Sequence, residues 1–253
     1  MSLFNRVRTR DPAKIHNFIE QLCIELDDQL GDDLESIVLY GSFARSGKLE
    51  SENEVANLLI VLKTVSYETL DQIAGPIKNI GQKIPLGTMV LTREDLHSSC
   101  DVFPIKFHDM QLYHQVLAGD DVFSDLKISD NHLRLRCEQQ LKNLMLRMRA
   151  DYLRYGQSNR ILYDSLIDAN RNLLRDMNAC LIVASGIAPE DDEDLPEAFG
   201  EVFNLDTDIV NEIRVLSKKQ KPLTMEELKL QFGRLMKLVD DSALAIDMVE
   251  VSW

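Results

Sequence analysis

A glycine and a serine stand directly after an apolar stretch near the start of the chain. Residues 36–40 read Ser-Ile-Val-Leu-Tyr, and Gly41 and Ser42 follow at once. Glycine lets the backbone approach a ligand closely, and the N–H groups of a helix start, together with a serine hydroxyl, can bind phosphate oxygens. The pattern therefore predicts a phosphate-binding turn at Gly41 and Ser42.

The elements around this turn alternate between strand and helix. Residues 36–40 form a buried strand, residues 46–53 a polar loop, and residues 57–62 a continuous apolar strand covered on both faces. Further along the chain we expect a helix over 67–83, broken or kinked at Gly75-Pro76, and strands over 86–91 and 104–112. In the last strand, alternation places Ile105, Phe107 and Asp109 on one face. The alternation predicts a small α/β domain.

Helices are predicted before and after this alternating segment. Asp11-Pro12 begins a helix that Gly31 ends, and from Asp130 onward nearly the whole chain has helical spacing of its apolar residues. We expect four antiparallel helices there, over 130–156, 158–186, 207–216 and 224–244, the last begun by a capping box at Thr224. The predicted domains are residues 1–125 and 126–253.

The segment Gly41-Ser42-Phe43-Ala44-Arg45, its polar loop and the apolar strand after it resemble the polymerase-β-type nucleotidyltransferase superfamily. The small stand-alone bacterial members and the kanamycin nucleotidyltransferase type are the most similar. The resemblance covers roughly residues 34–115. It implies an α/β (α+β) nucleotidyltransferase-type domain with a mixed sheet, followed by an all-α helical bundle. It also implies a nucleoside triphosphate substrate, Mg²⁺ held by carboxylates, and phosphate contacts from Gly41, Ser42 and Arg45.

The metal positions of this family can be placed in two registers. Two carboxylates at i and i+2, usually in the pattern Ser-Asp-x-Asp, lead into the second strand and point the same way. If the strand sets the register, Val55 and Asn57 occupy these positions, which leaves one neutral oxygen ligand. If the distance from Gly41 sets it, Glu52 and Glu54 are the ligands. We favour the strand register, because the side-chain alternation of a buried strand is tightly specified.

Asp109 is the candidate for the third carboxylate that the resemblance places on a neighbouring strand, and so for a catalytic and metal-binding role. An aspartate that simply ends a strand is the alternative. Arg45 has a second reading too, as the partner of an acidic residue in the same domain.

Charge and cysteine usage limit the other partners. The formal net charge is -14, which disfavours long nucleic acids and anionic membranes. Cys23, Cys100, Cys137 and Cys180 have no zinc-site spacing and are expected to be reduced and buried. The sequence shows neither the apolar run of a signal peptide nor a membrane span, so a cytoplasmic protein is expected.

Two functions remain open. The first is transfer of a nucleoside monophosphate from a triphosphate to a small-molecule or protein acceptor, impaired where Val55 and Asn57 replace carboxylates. The alternative is a non-catalytic nucleotide-sensing or protein-interaction module with the same fold. Dimers are common in the superfamily, so a homodimer is expected.

Overall fold

The computed structural model describes residues 8–49, 54–189, 191, 193–219 and 223–250. It divides into two compact units, Met1–Ile128 and Ser129–Trp253. The first is built around a sheet and the second consists of helices. We call them the sheet unit and the helical unit.

The sheet unit contains five α-helices, a short 3-10 turn and four strands within its described residues. In chain order these are α1 (Pro12–Leu30), the 3-10 turn (Gly31–Asp33), β1 (Leu34–Tyr40), α2 (Ser42–Ser46), β2 (Ala56–Leu62), α3 (Tyr67–Gly81), β3 (Leu86–Thr92), α4 (Arg93–Ser98), α5 (Pro104–Leu112) and β4 (His114–Gly119).

The four strands form one mixed sheet in the order β3-β2-β1-β4. β1 runs antiparallel to both β2 and β4, whereas β2 and β3 are parallel. Tyr40, the last residue of β1, lies opposite Asn57 on one side and His114 on the other. The turn at Gly41 therefore leaves the sheet where β2 and β4 both begin.

Helices cover both faces of this sheet, which explains the unbroken apolar sequence of β2. Ile37, Leu39 and Leu58 lie on one face, in a core with apolar residues of α1 and α3. Val38 and Leu59 lie on the other face, in a core with residues of α4, α5 and the segment 122–126. Successive side chains of a strand point to opposite faces, so β1, β2 and β3 each contribute to both cores.

The predicted strand over 104–112 is wrong, because these residues form helix α5. Pro104 occupies the start of the helix, where its missing N–H costs nothing. Pro104, Phe107 and Met110 are the buried residues, and their spacing of three is helical. Ile105, Phe107 and Asp109 therefore do not share a strand face. The fourth strand is β4, which the sequence pattern did not predict.

Helix α3 is continuous from Tyr67 to Gly81. Of the break or kink predicted at Gly75-Pro76, the break therefore does not occur. Ser66 and Thr69 form a reciprocal cap at its start. Pro76 is itself buried, together with Ile73 and Ile80. Capping and burial on the sheet hold this helix together across the proline.

The helical unit consists of α6 (Asp130–Tyr155), α7 (Asn159–Ser185), α8 (Leu195–Phe203), α9 (Asp208–Lys219) and α10 (Met225–Asp247). The three long helices α6, α7 and α10 pack against one another, and α8 and α9 pack on α7. The capping box at Thr224 forms with Glu227 as expected. The described residues thus contain five helices here instead of four, because α8 was missed.

Two further expectations can be checked against the described residues. All four cysteines are buried, and none of them forms a disulfide. Within the same ranges, no helix combines the length and the apolar character that crossing a membrane requires.

Candidate functional site

The turn after β1 depends on the backbone conformation of Gly41. Its φ is 79° and its ψ is -156°, a combination that is essentially restricted to glycine because a Cβ would clash with the adjacent backbone. Ser42 then begins α2, and no side chain caps this helix start. The structure therefore places Ser42 and the first N–H groups of α2 at the end of the sheet.

Helix α2 is short and is anchored by one side chain. Phe43 is 1% exposed, and its ring lies 5.0 Å from the ring of His16 on α1. The N–H of Arg45 donates to the carbonyl of Gly41 at 3.1 Å. Ser42 and Arg45, three positions apart on a helix, are neighbours on its surface, while Phe43 fixes the opposite side in the core.

Arg45 lies on an aromatic ring that the next strand positions. The guanidinium carbon of Arg45 is 4.9 Å from the centre of the Tyr113 ring, within the range of a cation–π contact. Tyr113 caps the end of α5 and immediately precedes His114, which pairs with Tyr40. The register between β4 and β1 thus brings Tyr113 to the Gly41 turn.

Asp109 belongs to the same group of side chains. Burial raises the pKa of the Asp109 carboxyl above its ordinary value, and the positive charge of Arg45 lowers it in part. Asp109 lies one helical turn before Tyr113, whose N–H donates to the Asp109 carbonyl at 2.9 Å. Asp109 therefore acts electrostatically on Arg45 from helix α5, and it is not a strand residue as the sequence had suggested.

On β2, the side chain of Asn57 occupies the space between two glycines. A Cβ built on Gly41 would lie 3.4 Å from Asn57 Nδ2, and one built on Gly87 would lie 2.5 Å from Asn57 Oδ1. Asn57 Nδ2 also donates to the carbonyl of Val55 at 3.3 Å. The amide of Asn57 thus fills the gap that Gly87, its neighbour on β3, leaves open.

Val55 and Asn57 face the same side of the sheet edge. The Cγ2 atom of Val55 is 3.1 Å from the position that a Gly87 Cβ would take, close to the Asn57 contact. Valine, asparagine and glycine therefore meet at this edge of the sheet. A hard divalent cation needs several oxygen ligands, and this set offers one.

Carboxylates are scarce throughout the sheet. Among the residues of β1–β4, all of which the structure describes, Glu35 is the single carboxylate, and it lies near the end of β1 away from Gly41. In the described part of the chain there is also no group of three or more His, Cys, Asp or Glu residues that could hold a metal ion. These residues do not fit the two-metal arrangement that the family resemblance implies.

The alternative ligand pair lies at the entry to β2. Glu52 falls outside the described residues. Glu54 is partly buried, and its backbone carbonyl accepts a hydrogen bond from Arg10 Nη2 at 3.1 Å. The contact ties the segment before β2 to the chain that leads into α1.

Two residues of this region were not singled out from the sequence. Gly87 becomes relevant only through its register with Asn57 across parallel strands. Tyr113 becomes relevant only through β4, a strand with a weak apolar pattern. The dipeptide Tyr113-His114 after a helix carries no local signal for this role, so the pairing of strands was needed to find it.

No protein-family model matches the sequence, and no curated protein matches it. The structure is similar to the crystal structure of spectinomycin adenyltransferase AAD(9) from Enterococcus faecialis with ATP and spectinomycin, with a TM-score of 0.55 and 12% sequence identity. The similarity covers 90% of this chain and 99% of that chain. The chain has the nucleotidyltransferase fold. A helical region follows the nucleotidyltransferase-type sheet unit, as the sequence resemblance implied, and at 12% identity the likeness concerns the fold.

Proposed function

We propose that this chain binds a nucleoside triphosphate at the Gly41–Ser42 turn and does not transfer its nucleotidyl group. The observation that carries the proposal is the register of β1, β2 and β3 beside that turn. It sets Asn57 between Tyr40 and Gly87, where a metal-dependent transferase would need carboxylates. The second of the two functions left open by the sequence, a non-catalytic nucleotide-sensing module, fits these residues better.

Three features of the Gly41 turn support phosphate binding. Gly41 adopts the glycine-restricted conformation, Ser42 follows it at the start of α2, and Arg45 lies exposed on the same helix. Spectinomycin adenyltransferase AAD(9), which has a similar fold, was solved with ATP. A bound triphosphate would contact the Ser42 hydroxyl and the N–H groups of the turn.

Transfer to a small-molecule or protein acceptor is the competing function. It would require metal ligands from Glu52 and Glu54, or from Asn57 with Asp109. The two functions differ in one product. Attack of an acceptor on the α-phosphate releases pyrophosphate, whereas binding alone releases none.

The test is calorimetric titration of the full chain with ATP, GTP, CTP and UTP, followed by a pyrophosphate assay with Mg²⁺ and spectinomycin as one acceptor. We expect at least one nucleotide to bind and no pyrophosphate to form. Ser42→Ala should weaken binding, while Ser98→Ala, which removes an exposed hydroxyl on α4, should not.

Failure to bind any of the four nucleotides would overturn the proposal. Pyrophosphate release that disappears in both Glu52→Ala and Glu54→Ala would establish the transferase function instead.

We also propose that the chain forms a homodimer and is located in the cytoplasm. A homodimer predicts a mass near 58 kDa in solution, which is about twice the chain mass of 28.9 kDa. Light scattering coupled to size exclusion measures it. A cytoplasmic location predicts that the four cysteines stay reduced in the cell.

A further inference from the structure

The residues beside the Gly41 turn differ from a metal site in charge as well as in ligand number. Val55, Asn57 and Gly87 are all neutral, so these three described positions contribute no negative charge. Carboxylates at these positions would repel a triphosphate unless cations lay between them. The three side chains present add no such repulsion.

Arg45, on the helix that begins at Ser42, is a cation beside the turn. It forms no ion pair within 4.0 Å with any residue that the structure describes, and its described partners are the Tyr113 ring and the more distant charge of Asp109. The dominant influence on Asp109 is burial, which raises the pKa of its carboxyl despite Arg45. The guanidinium therefore keeps hydrogen-bond donors for a ligand.

The Tyr113 ring gives this arginine a fixed platform. A planar guanidinium stacked on an aromatic face still presents its N–H groups at its edge, in a fork that matches phosphate oxygens. The ring is positioned by the end of α5 and by the β4–β1 register, and Arg45 is positioned by α2, which Phe43 anchors. Both partners are thus set by the sheet unit itself.

Resting on the nucleotide binding proposed above, we propose that the site takes the nucleotide without a divalent metal. In this proposal Arg45, held on the Tyr113 ring, is the cation that recognises the triphosphate. Mg²⁺ neutralises charges on the phosphates that Arg45 would otherwise contact, so the metal-free nucleotide is the preferred form. The site then selects for phosphate charge, in the order ATP, ADP, AMP.

The experiment is calorimetric titration of the full chain with ATP in EDTA and, separately, in excess Mg²⁺ at matched ionic strength. We expect binding in EDTA to be at least as tight as in Mg²⁺. Binding that appears only with Mg²⁺ would overturn the metal-free inference and leave the proposed function intact. Absence of binding under both conditions would overturn the proposed function itself.

Variants test the arginine and its platform separately. In EDTA, Arg45→Gln should weaken ATP binding about tenfold or more, because a charge-assisted contact is lost. Lys63→Gln is the matched control, since it removes one exposed positive charge at the other end of β2. Equal affinity in Arg45→Gln and the wild type would overturn the role of Arg45.

Tyr113→Leu keeps the charge of Arg45 and removes the aromatic face, while Tyr113→Phe keeps the face and removes the hydroxyl. We expect weaker binding, by about threefold or more, in Tyr113→Leu and wild-type affinity in Tyr113→Phe. If the leucine variant binds as tightly as the wild type, Tyr113 is not the platform. Circular dichroism of each variant verifies that the fold is retained.

Discussion

Replacing Gly41 by alanine tests how far the site depends on one backbone conformation. The φ of 79° and ψ of -156° fall in a region that costs a non-glycine residue about 1–3 kcal/mol. The added Cβ would meet Asn57 Nδ2 at 3.4 Å, an ordinary contact, so no steric cost adds to this. Alanine also restricts the unfolded chain, which returns about 0.4–1 kcal/mol. The sheet unit should therefore lose about 1–2 kcal/mol.

Hydrogen exchange with mass spectrometry measures this loss where it occurs. The slowest amides of β1 report the opening of the sheet unit, and about 1–2 kcal/mol corresponds to a 5- to 30-fold loss of protection. ATP binding by Gly41→Ala should also be weaker than that of the wild type. The control is Gly233→Ala in α10, where a Cβ meets nothing within 4 Å and alanine should stabilise the helix by about 0.5–1 kcal/mol. Unchanged protection of β1 in Gly41→Ala would refute the conformational argument.

Three further variants test other features of the chain. Gly119 has a φ of 74°, and a Cβ added there would lie 2.0 Å from the carbonyl oxygen of Glu35. Gly119→Ala should therefore destabilise the sheet unit by more than about 3 kcal/mol. A melting temperature within about 2 °C of the wild type would contradict this. Burial raises the pKa of Asp176 to about 6, with Arg147 and Arg175 opposing the shift. This carboxyl stabilises the helical unit when protonated, and the contribution is lost as pH rises from about 4 through 6. Asp176→Asn should therefore raise stability at pH 7 by up to about 2–3 kcal/mol and flatten urea midpoints between pH 4 and 7; a steep pH dependence that persists in the variant would show that another group is responsible. Finally, Val55→Asp combined with Asn57→Asp should create Mg²⁺-dependent ATP binding, measured by the same titrations, and no change in metal dependence would show that these are not the metal positions.

Local sequence was sufficient for three of the four strands. The central strands β1 and β2 were predicted because their apolar residues are buried on both faces, which produces uninterrupted apolar runs. β3 lies at an edge of the sheet and none of its residues is fully buried, yet its apolar residues were enough to predict a strand over 86–91. The turn at Gly41 and Ser42 could also be predicted from local sequence, because the strand, the glycine and the start of the helix follow one another in the chain.

The elements that were predicted wrongly or not at all depend on contacts between residues distant in sequence. Residues 104–112 alternate well enough to suggest a strand, yet the start at Pro104 and the burial of Phe107 and Met110 make a helix. No residue of β4 is fully buried, and its apolar run is limited to residues 116–118, so its sequence carries little strand signal. Asp109 was consequently placed on the wrong kind of element, and its relation to Arg45 and Tyr113 appeared only with the structure.

The contact between Asn57 and Gly87 makes substitutions at these two positions interdependent. A side chain introduced at Gly87 meets Asn57 Oδ1 at 2.5 Å, so the amide must rotate and lose its hydrogen bond to Val55. The effect of a change at Gly87 thus depends on whether Asn57 has already been replaced, which a double-mutant cycle records as non-additivity. A carboxylate at position 87 is accommodated more easily after Asn57 has been replaced by a smaller residue than before. The order of the two mutations therefore decides which variants remain stable along the way.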